Sequence, residues 1–284
     1  MTPLPVETTV SMLRMALRTA RAEKDYIGFV PTMGALHEGH AALVRAAKKQ
    51  TAFVVVSVFV NPTQFGPKED FAKYPRTLEA DTKLCAEAGA DLIFAPTVEE
   101  MYPLMPPLTT VDVSSLGDHL CGASRPGHFR GVCTVVLKLL NIVQPSFAFF
   151  GAKDYQQAAI IRRMVSDLNV NVGIEVVPTV REPDGLALSS RNRYLSAKER
   201  KVAPGIYATL QATKERAQKG RVSVSKLQEE LRAALAAIPG ARVDYASIVD
   251  ADTLQPLTKL DRPAVAAVAV FLGTTRLIDN IVIG

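Results

Sequence analysis

The chain has 284 residues, 48% of them hydrophobic and 21% charged, a composition that excludes an intrinsically disordered protein. Its net charge of +5 is spread along the chain rather than concentrated in a tail, which favours anionic small molecules over nucleic acid as ligands. The longest apolar runs, such as residues 52–56, are much shorter than the ~20 residues that span a bilayer, so no membrane association is expected.

The first two-thirds of the chain alternate between strand-like and helix-like patterns. The N-terminal segment lacks the apolar core of a signal peptide, and its amphipathic pattern predicts a surface helix over Val10–Glu23. After it, the pattern predicts strands at 26–32, 52–60, 91–96, 147–151 and 172–180, and helices at 39–50, 77–90, 131–143 and 155–168. This alternation predicts an α/β fold with a Rossmann-like, doubly wound parallel sheet.

The residues that follow the predicted strands are candidates for a ligand site. In a doubly wound sheet, ligands bind beyond the carboxyl ends of the strands. Gly34, Asn61, Gly151 and Arg181 all follow predicted strand ends. We therefore expect these positions to converge on one crevice.

The C-terminal third has a different pattern. It predicts helices over 197–220 and 223–240, the second with a capping box formed by Ser225 and Gln228, and strands over 242–250 and 264–283. We predict a domain boundary near 178–185, with a sheet domain over residues 1–180 and a smaller α+β domain over residues 181–284. The absence of a low-complexity linker predicts that the two domains pack closely.

His37 and His40 lie three residues apart at a predicted strand-to-helix junction, so they share one face of the helix. A helix N-terminus offers unpaired N–H groups and a favourable dipole to an anion, and Gly34 and Gly39 allow close backbone approach. The pattern favours a phosphate site. Two ordinary capping histidines are one alternative, and a metal site is another, although His-x-x-His supplies only two ligands.

The chain has an odd number of cysteines, Cys85, Cys121 and Cys133, and none of them forms a Cys-x-x-Cys motif. They predict reduced thiols in a cytoplasmic protein, without a zinc site or a disulfide framework.

The segment PTMGALHEGH, residues 31–40, resembles the His-x-Gly-His signature of the nucleotidyltransferase superfamily, which class I aminoacyl-tRNA synthetases share in variant form. Longer segments are similar to the pantothenate synthetase family, and they cover nearly the whole chain in the family's order: residues 58–81, 122–145, 149–165, 177–195 and 273–281. The resemblance implies ATP-dependent condensation of (R)-pantoate with β-alanine through a pantoyl adenylate, with release of AMP and pyrophosphate. It also implies Mg²⁺ with the nucleotide and a cytoplasmic homodimer.

The resemblance also implies the roles of individual residues. His40, His37, Lys153 and Arg191 match catalytic positions, with His40 assigned as the proton donor. The implied ATP contacts are Met33, Gly34, Ala35, Leu36, His37, Glu38, Gly39, His40, Gly151, Ala152, Lys153, Asp154, Val180, Leu188, Ser189, Ser190 and Arg191. The family usually has a glutamate at the position of Ala152, so the local pairing of that side chain is in doubt.

Gln64 matches the family's contact with pantoate and β-alanine, Gln157 matches its second pantoate contact, and Asn61 is expected beside them. Uncharged amides can bind the hydroxyls and carboxylate of pantoate without neutralising this nucleophile. Asp81 is the candidate Mg²⁺ ligand, although a single helix carboxylate is more often solvated.

Three further residues, Arg125, His128 and Arg130, are candidates for the lining of the pantoate or β-alanine pocket. Because an acyl adenylate is labile in water, we also expect the C-terminal domain to close over the sheet as a lid. The alternatives are a different nucleotidyltransferase on the same fold and a catalytically silent nucleotide-binding regulator.

Overall fold

The computed structural model describes residues 3–23, 26–66, 71–220 and 222–284. Residues 67–70, part of the family-like segment 58–81, lie outside the described residues. The N-terminal part comprises β1 (Val6–Glu7), α1 (Val10–Glu23), β2 (Ile27–Thr32), α2 (Glu38–Gln50), β3 (Phe53–Val58), α3 (Leu78–Ala88), β4 (Leu92–Phe94), α4 (Val98–Met101), α5 (Cys121–Ser124), α6 (His128–Val143), β5 (Phe147–Gly151), α7 (Tyr155–Asp167) and β6 (Gly173–Val177).

The six strands form a parallel sheet in the order β1-β4-β3-β2-β5-β6. The chain runs from β2 outward through β3 to β4, and then returns to place β5 and β6 on the other side. The topological switch point therefore lies between β2 and β5. This arrangement confirms the predicted doubly wound sheet.

The two strands at the switch point separate before they end. They are paired at Gly28 with Phe147 and at Phe29 with Ala148. Beyond these pairs, β2 continues to Thr32 and β5 continues to Gly151 without pairing to each other. A crevice therefore opens at their carboxyl ends, as expected for a nucleotide site in this fold.

The sheet is covered on both faces. In β3, Val54 and Val56 point to the core beneath α2 and α3, and Val55 points to the larger core beneath α1, α6 and α7. All three valines are fully buried. This explains why the strand is apolar nearly throughout rather than alternating.

The C-terminal part comprises α8 (Ala197–Val202), α9 (Gly205–Gln218), α10 (Val224–Ala236), β7 (Ala241–Asp250), β8 (Ala264–Leu272) and β9 (Thr275–Ile283). The three strands form an antiparallel sheet in the order β7-β8-β9. This smaller α+β unit confirms the predicted fold class.

Two details of the C-terminal predictions were wrong. The helix predicted over 197–220 is two helices, because the chain turns at Pro204, whose ring cannot continue a helix interior. The capping residue of α10 is Ser223, not Ser225, and its hydroxyl accepts from the Lys226 N–H at 3.2 Å. The Gln228 side chain instead accepts from the Ile248 N–H at 2.9 Å, which ties α10 to β7.

Strand β8 is buried on both faces. Val268 and Val270 pack into the core beneath α9 and α10, whereas Val265 faces Leu116 and Tyr155 of the N-terminal part. The C-terminal sheet therefore lies between its own helices and the first unit. The predicted boundary between residues 180 and 181 stays a prediction.

Across the described ranges, none of the helices is both long and apolar enough to cross a membrane.

Candidate active site

A cavity of about 840 Å³ lies at the switch point, between the carboxyl ends of β2 and β5 and the C-terminal sheet. Most of the polar side chains predicted from the sequence line it. They are His37, His40, Asn61, Gln64, Arg125, His128, Lys153, Asp154, Gln157, Ser189, Ser190 and Arg191, together with Met33 and Ala35.

Other predicted residues do not line this cavity. Glu38 is exposed and forms an ion pair with Arg45, and Arg130 pairs with Asp112 at 3.2 Å. The structure does not bring these two side chains to the site. Gly34, Leu36, Gly39, Asp81, Gly151, Ala152, Val180 and Leu188 are also absent from the lining, and several of them shape the backbone behind it.

The loop after β2 is held by a buried carboxylate. Gly34 and Ala35 have φ values of 83° and 52°, in the left-handed region that disfavours a side chain. Asp81, only 2% exposed, accepts from the Ala35 N–H at 3.0 Å and from the Leu36 N–H at 2.8 Å. Asp81 thus fixes the strained loop that leads to the histidines. Its role as a metal ligand stays a prediction.

The two histidines cap α2 reciprocally. His37 Nδ1 accepts from the Gly39 N–H at 3.1 Å, and His40 Nδ1 accepts from the His37 N–H at 3.3 Å. Because both Nδ1 atoms are acceptors, each neutral ring carries its proton on Nε2. The capping role left open by the sequence is therefore present, and it leaves both Nε2–H groups as donors for a ligand.

Both rings are neutral at pH 7. Burial lowers the pKa of His40 to about 3, and the neighbouring His37 and Lys153 act in the same direction, whereas Asp154 opposes them. Burial also lowers the pKa of His37, with Lys153 adding to the effect. At neutral pH the two histidines are therefore uncharged hydrogen-bond donors.

Lys153 faces the histidines from the turn after β5. It lines the cavity, and its side chain makes no hydrogen bond or ion pair with the described residues. The backbone carbonyls of Ala152 and Lys153 both accept from the side-chain amide of Asn280, each at 2.9 Å. Asn280 was not predicted as a site residue, and its only sequence signal was its place in the family-like segment 273–281.

A third segment of the cavity wall follows β6. The Leu188 N–H donates to the Val180 carbonyl at 3.0 Å, which closes residues 180–188 into a hairpin. Ser189 Oγ accepts from the Arg191 N–H at 3.2 Å and caps a 3₁₀ turn. This hairpin delivers the exposed Arg191 side chain to the cavity.

Both ends of the Asn61 side-chain amide are hydrogen-bonded within the protein. Asn61 is 1% exposed, and its Oδ1 accepts from Thr63 Oγ1 and from the Tyr102 hydroxyl, each at 3.0 Å. Its Nδ2 donates to Gln64 Oε1 and to the Gly131 carbonyl, each at 3.1 Å. With both ends of the amide bonded, Asn61 orients the neighbouring glutamine.

Gln64 is also held through its backbone. The Arg125 guanidinium lies 2.9 Å from His128 Nε2, and because arginine can only donate, that nitrogen is the acceptor. His128 Nδ1–H then donates to the Gln64 carbonyl at 2.8 Å. Arg125 and His128, whose roles the sequence left open, thus support Gln64.

Adjacent glutamines on α7 have different environments. Gln156 is buried and bonds the backbone of Leu116, His119 and Cys121 at 2.7–3.0 Å. Gln157 lines the cavity, and its side-chain amide has no hydrogen bond to any residue in the described ranges. Its amide is therefore available to a ligand.

The C-terminal sheet contributes a wall that the sequence did not predict. Arg276 donates to Asp244 Oδ2 at 2.8 Å and lies 3.8 Å from the Cys121 sulfur, which is itself 3.2 Å from the Tyr245 hydroxyl. All four side chains line the cavity. Both units therefore build the site.

Comparison with known proteins agrees with this architecture. The family model for pantoate-beta-alanine ligase matches residues 5–282. A curated pantothenate synthetase of Moorella thermoacetica is 53% identical, over 97% of this chain and 97% of the relative. One from Acinetobacter baumannii is also 53% identical, over 98% of both chains.

Solved structures give the same result. Pantothenate synthetase from Thermus thermophilus superposes with a TM-score of 0.90 at 51% identity, over 98% of both chains. Pantoate-beta-alanine ligase from Francisella tularensis, complexed with beta-gamma ATP and beta-alanine, superposes with a TM-score of 0.77 at 35% identity. That match covers 98% of this chain and 97% of the other.

Proposed function

The chain belongs to the pantoate-beta-alanine ligase family, and on this premise we propose that it joins (R)-pantoate to β-alanine at the expense of ATP. The reaction passes through pantoyl adenylate and releases AMP and pyrophosphate, in the biosynthesis of pantothenate and coenzyme A. The observation that carries the proposal is the cavity at the switch point. Its lining combines the two histidines and Lys153, which suit phosphate, with the amides of Gln64 and Gln157, which suit pantoate.

The first half-reaction uses both sides of the cavity. Gln64 and Gln157 bind the hydroxyls and carboxylate of pantoate and leave its negative charge intact for attack on the α-phosphorus. As the bond to the leaving group breaks, charge moves onto pyrophosphate. The Nε2–H groups of His37 and His40 and the Lys153 ammonium stabilise that charge, because preorganised donors bind more strongly as charge develops.

The state of the histidines determines what they contribute. A group whose pKa is about 3 is not an imidazolium in the empty site at neutral pH, so His40 begins as a neutral donor. Phosphate binding raises this pKa, because an adjacent negative charge favours the protonated ring. We therefore assign His40 to hydrogen bonding of the phosphates, with proton donation only after ATP is bound.

The remaining predicted ATP residues serve the same step. Arg191 with Ser189 and Ser190 binds the β- and γ-phosphates from the side opposite the histidines, the guanidinium through paired hydrogen bonds. Backbone groups of residues 33–36 and of Val180 and Leu188 contact the nucleoside. We assign Asn61 to positioning Gln64, since its own amide is fully bonded within the protein.

We propose that Mg²⁺ binds together with ATP. The described part of the chain contains no group of three His, Cys, Asp or Glu side chains that would enclose a metal. This fits Mg²⁺, which retains waters and binds phosphate oxygens with one or two carboxylates, and which would neutralise phosphate charge here. Asp154 is exposed and lines the cavity, whereas Asp81 is already bonded to two N–H groups, so Asp154 is the more accessible ligand.

We also propose a cytoplasmic homodimer. The three cysteines are free thiols, in agreement with a reducing compartment. Leu104, Met105 and Leu108 are exposed by 67%, 49% and 89%, and this apolar segment is the part of the surface that we assign to the contact between subunits.

The proposed function is tested by AMP formation from Mg-ATP, with pantoate and β-alanine supplied singly and together. We expect AMP to accumulate only with both acids, and pantoate alone to support exchange of labelled pyrophosphate into ATP. AMP formation with another acceptor would identify a different nucleotidyltransferase. No AMP from a folded protein that binds ATP would identify the silent nucleotide-binding regulator.

A further inference from the structure

Asn280 connects the C-terminal sheet to the phosphate side of the cavity. It lies on β9 and is 8% exposed. Its side-chain amide donates to the carbonyls of both Ala152 and Lys153, each at 2.9 Å. One buried side chain thus binds two consecutive peptide groups of the turn that carries Lys153.

Side-chain packing contributes little to fixing this turn. Gly151, which pairs with Val177 in the sheet, has no side chain, and a Cβ there would meet no described atom within 4 Å. Ala152 has only a methyl group, and the Lys153 side chain has no hydrogen bond or ion pair within the described ranges. Because lysine is a flexible four-carbon chain, the direction of its ammonium depends on where the backbone places its Cα.

Asp279, the residue before Asn280 on β9, holds the hairpin that leads to Arg191. Asp279 forms a two-bond ion pair with Arg181, with N–O distances of 2.6 and 2.9 Å. Arg181 also lies over the Tyr207 ring, 3.4 Å from its centre, at the base of the hairpin that leads to Arg191. Strand β9 therefore contacts the turn that carries Lys153 and the base of the hairpin that carries Arg191.

We propose that Asn280 is a positioning residue for adenylate formation: it fixes the Ala152–Lys153 peptides so that the Lys153 ammonium faces the phosphate chain beside His37 and His40. This inference rests on the proposed function. Asn280 acts through Lys153 and not on the substrates themselves. Its removal therefore affects the step in which phosphate charge develops. Binding of pantoate should change little, because Gln157 lies in α7, where the helical backbone holds it.

The test is a double-mutant cycle that combines N280A with K153A. The measured quantity is the rate of pantoate-dependent exchange of labelled pyrophosphate into ATP. We expect N280A to lower the exchange rate about tenfold or more, as loss of two buried hydrogen bonds to one turn implies, with the KM for pantoate unchanged within about twofold. In a K153A background, N280A should lower the rate by less than about threefold, because residues that act through one another are not additive. If pyrophosphate exchange by K153A is too slow to measure, the four proteins of the cycle are compared instead by their Kd for α,β-methylene-ATP.

Two further variants serve as controls. N280L retains most of the side-chain volume without the donors, so it should match N280A and keeps the test valid if N280A does not fold. Y155F removes another hydrogen bond between the two units, from the Tyr155 hydroxyl to the Ala251 carbonyl at 2.9 Å, and it should change exchange by less than about twofold.

Three results would overturn the inference. Additive losses from N280A and K153A would show that Asn280 does not act through Lys153. An equal loss in Y155F would show that any contact between the units has the same effect. Absence of pantoate-dependent exchange in the unmodified protein would instead remove the proposed function, and the inference with it.

Discussion

His40 links the cap of α2, the proposed phosphate site and the pH dependence of stability. Its ring is buried beside His37 and Lys153, and its folded-state pKa of about 3 lies below the 6.5 of an exposed histidine. Between these two values the unfolded chain binds a proton that the folded chain does not. The free energy of unfolding therefore decreases as pH falls from 6.5 towards 3.

We predict that H40N reduces this acid sensitivity. The wild-type protein should lose roughly 2 kcal/mol at pH 4.5 through His40, whereas asparagine keeps an acceptor for the His37 N–H and does not titrate. Urea unfolding at pH 7.0 and pH 4.5 measures the difference. Equal losses in the two proteins would mean that His40 is not held neutral by the fold.

A second prediction concerns Asp81, whose carboxylate bonds the N–H groups of Ala35 and Leu36. In D81N an amide group faces one of these donors, so we expect a loss of about 2–4 kcal/mol in unfolding free energy and weaker ATP binding. E79Q removes the same charge from the first turn of α3, where Glu79 is exposed, and is the matched control. If Asp81 instead binds Mg²⁺, D81N will raise the Mg²⁺ concentration needed for activity without this loss of stability.

At the scale of elements, α6 and the 3₁₀ turn at Pro62–Gln64 are in direct backbone contact. A Cβ at Gly131 would lie 2.3 Å from the Thr63 carbonyl oxygen and 2.7 Å from the Gln64 Cα. The glycine therefore lets the helix approach the turn closely enough for Asn61 to bond the Gly131 carbonyl. The position of Gln64 depends on this packing.

We predict that G131A displaces the turn and raises the KM for pantoate about tenfold, with a loss of about 1–3 kcal/mol in stability from overpacking. G66A is the control, since Gly66 is two residues beyond Gln64 and a Cβ there meets no atom of the described residues within 4 Å. Steady-state kinetics with varied pantoate measure the effect. A G131A enzyme with unchanged KM would show that Gln64 does not contact pantoate.

The elements themselves were largely predictable from local patterns. Strand β5 matches its prediction residue for residue, and α3 ends at Gly89, which has a φ of 94°. The two-residue β1 was missed, because so short an edge strand has no measurable periodicity. Helix α6 begins at His128 rather than 131, because the polar His128 and Arg130 interrupt the apolar pattern in its first turn.

Site residues could be predicted from the sequence only where a strand end or a family-like segment indicates them. His37, Lys153 and Gln157 each lie at or just after a strand end or in a family-like segment, and all three line the cavity. Arg276 and Asn280 reach the same cavity from a strand more than a hundred residues further along the chain. Their proximity depends on how the two units pack, which no local pattern encodes.

At the scale of the whole molecule, the reaction requires a site that excludes water between its two half-reactions, because water would hydrolyse the adenylate before β-alanine attacks it. The cavity is bounded by both units, and β9 touches the segments that carry Lys153 and Arg191. Ligands that draw these cations together should therefore also draw the units together. This is the lid movement expected from the sequence.

We predict that ATP and pantoate together reduce the radius of gyration in solution scattering, and that pantoate alone does not. The physical reason is charge: the phosphate chain attracts Lys153 from the N-terminal unit and Arg191 from the hairpin, and each needs the other segment in place to bind fully. R191A is the control, because it removes one of the two attractions but leaves the pantoate side intact. If R191A compacts as the wild type does, closure does not depend on this cation. If neither protein compacts, the site shields its adenylate without a moving domain.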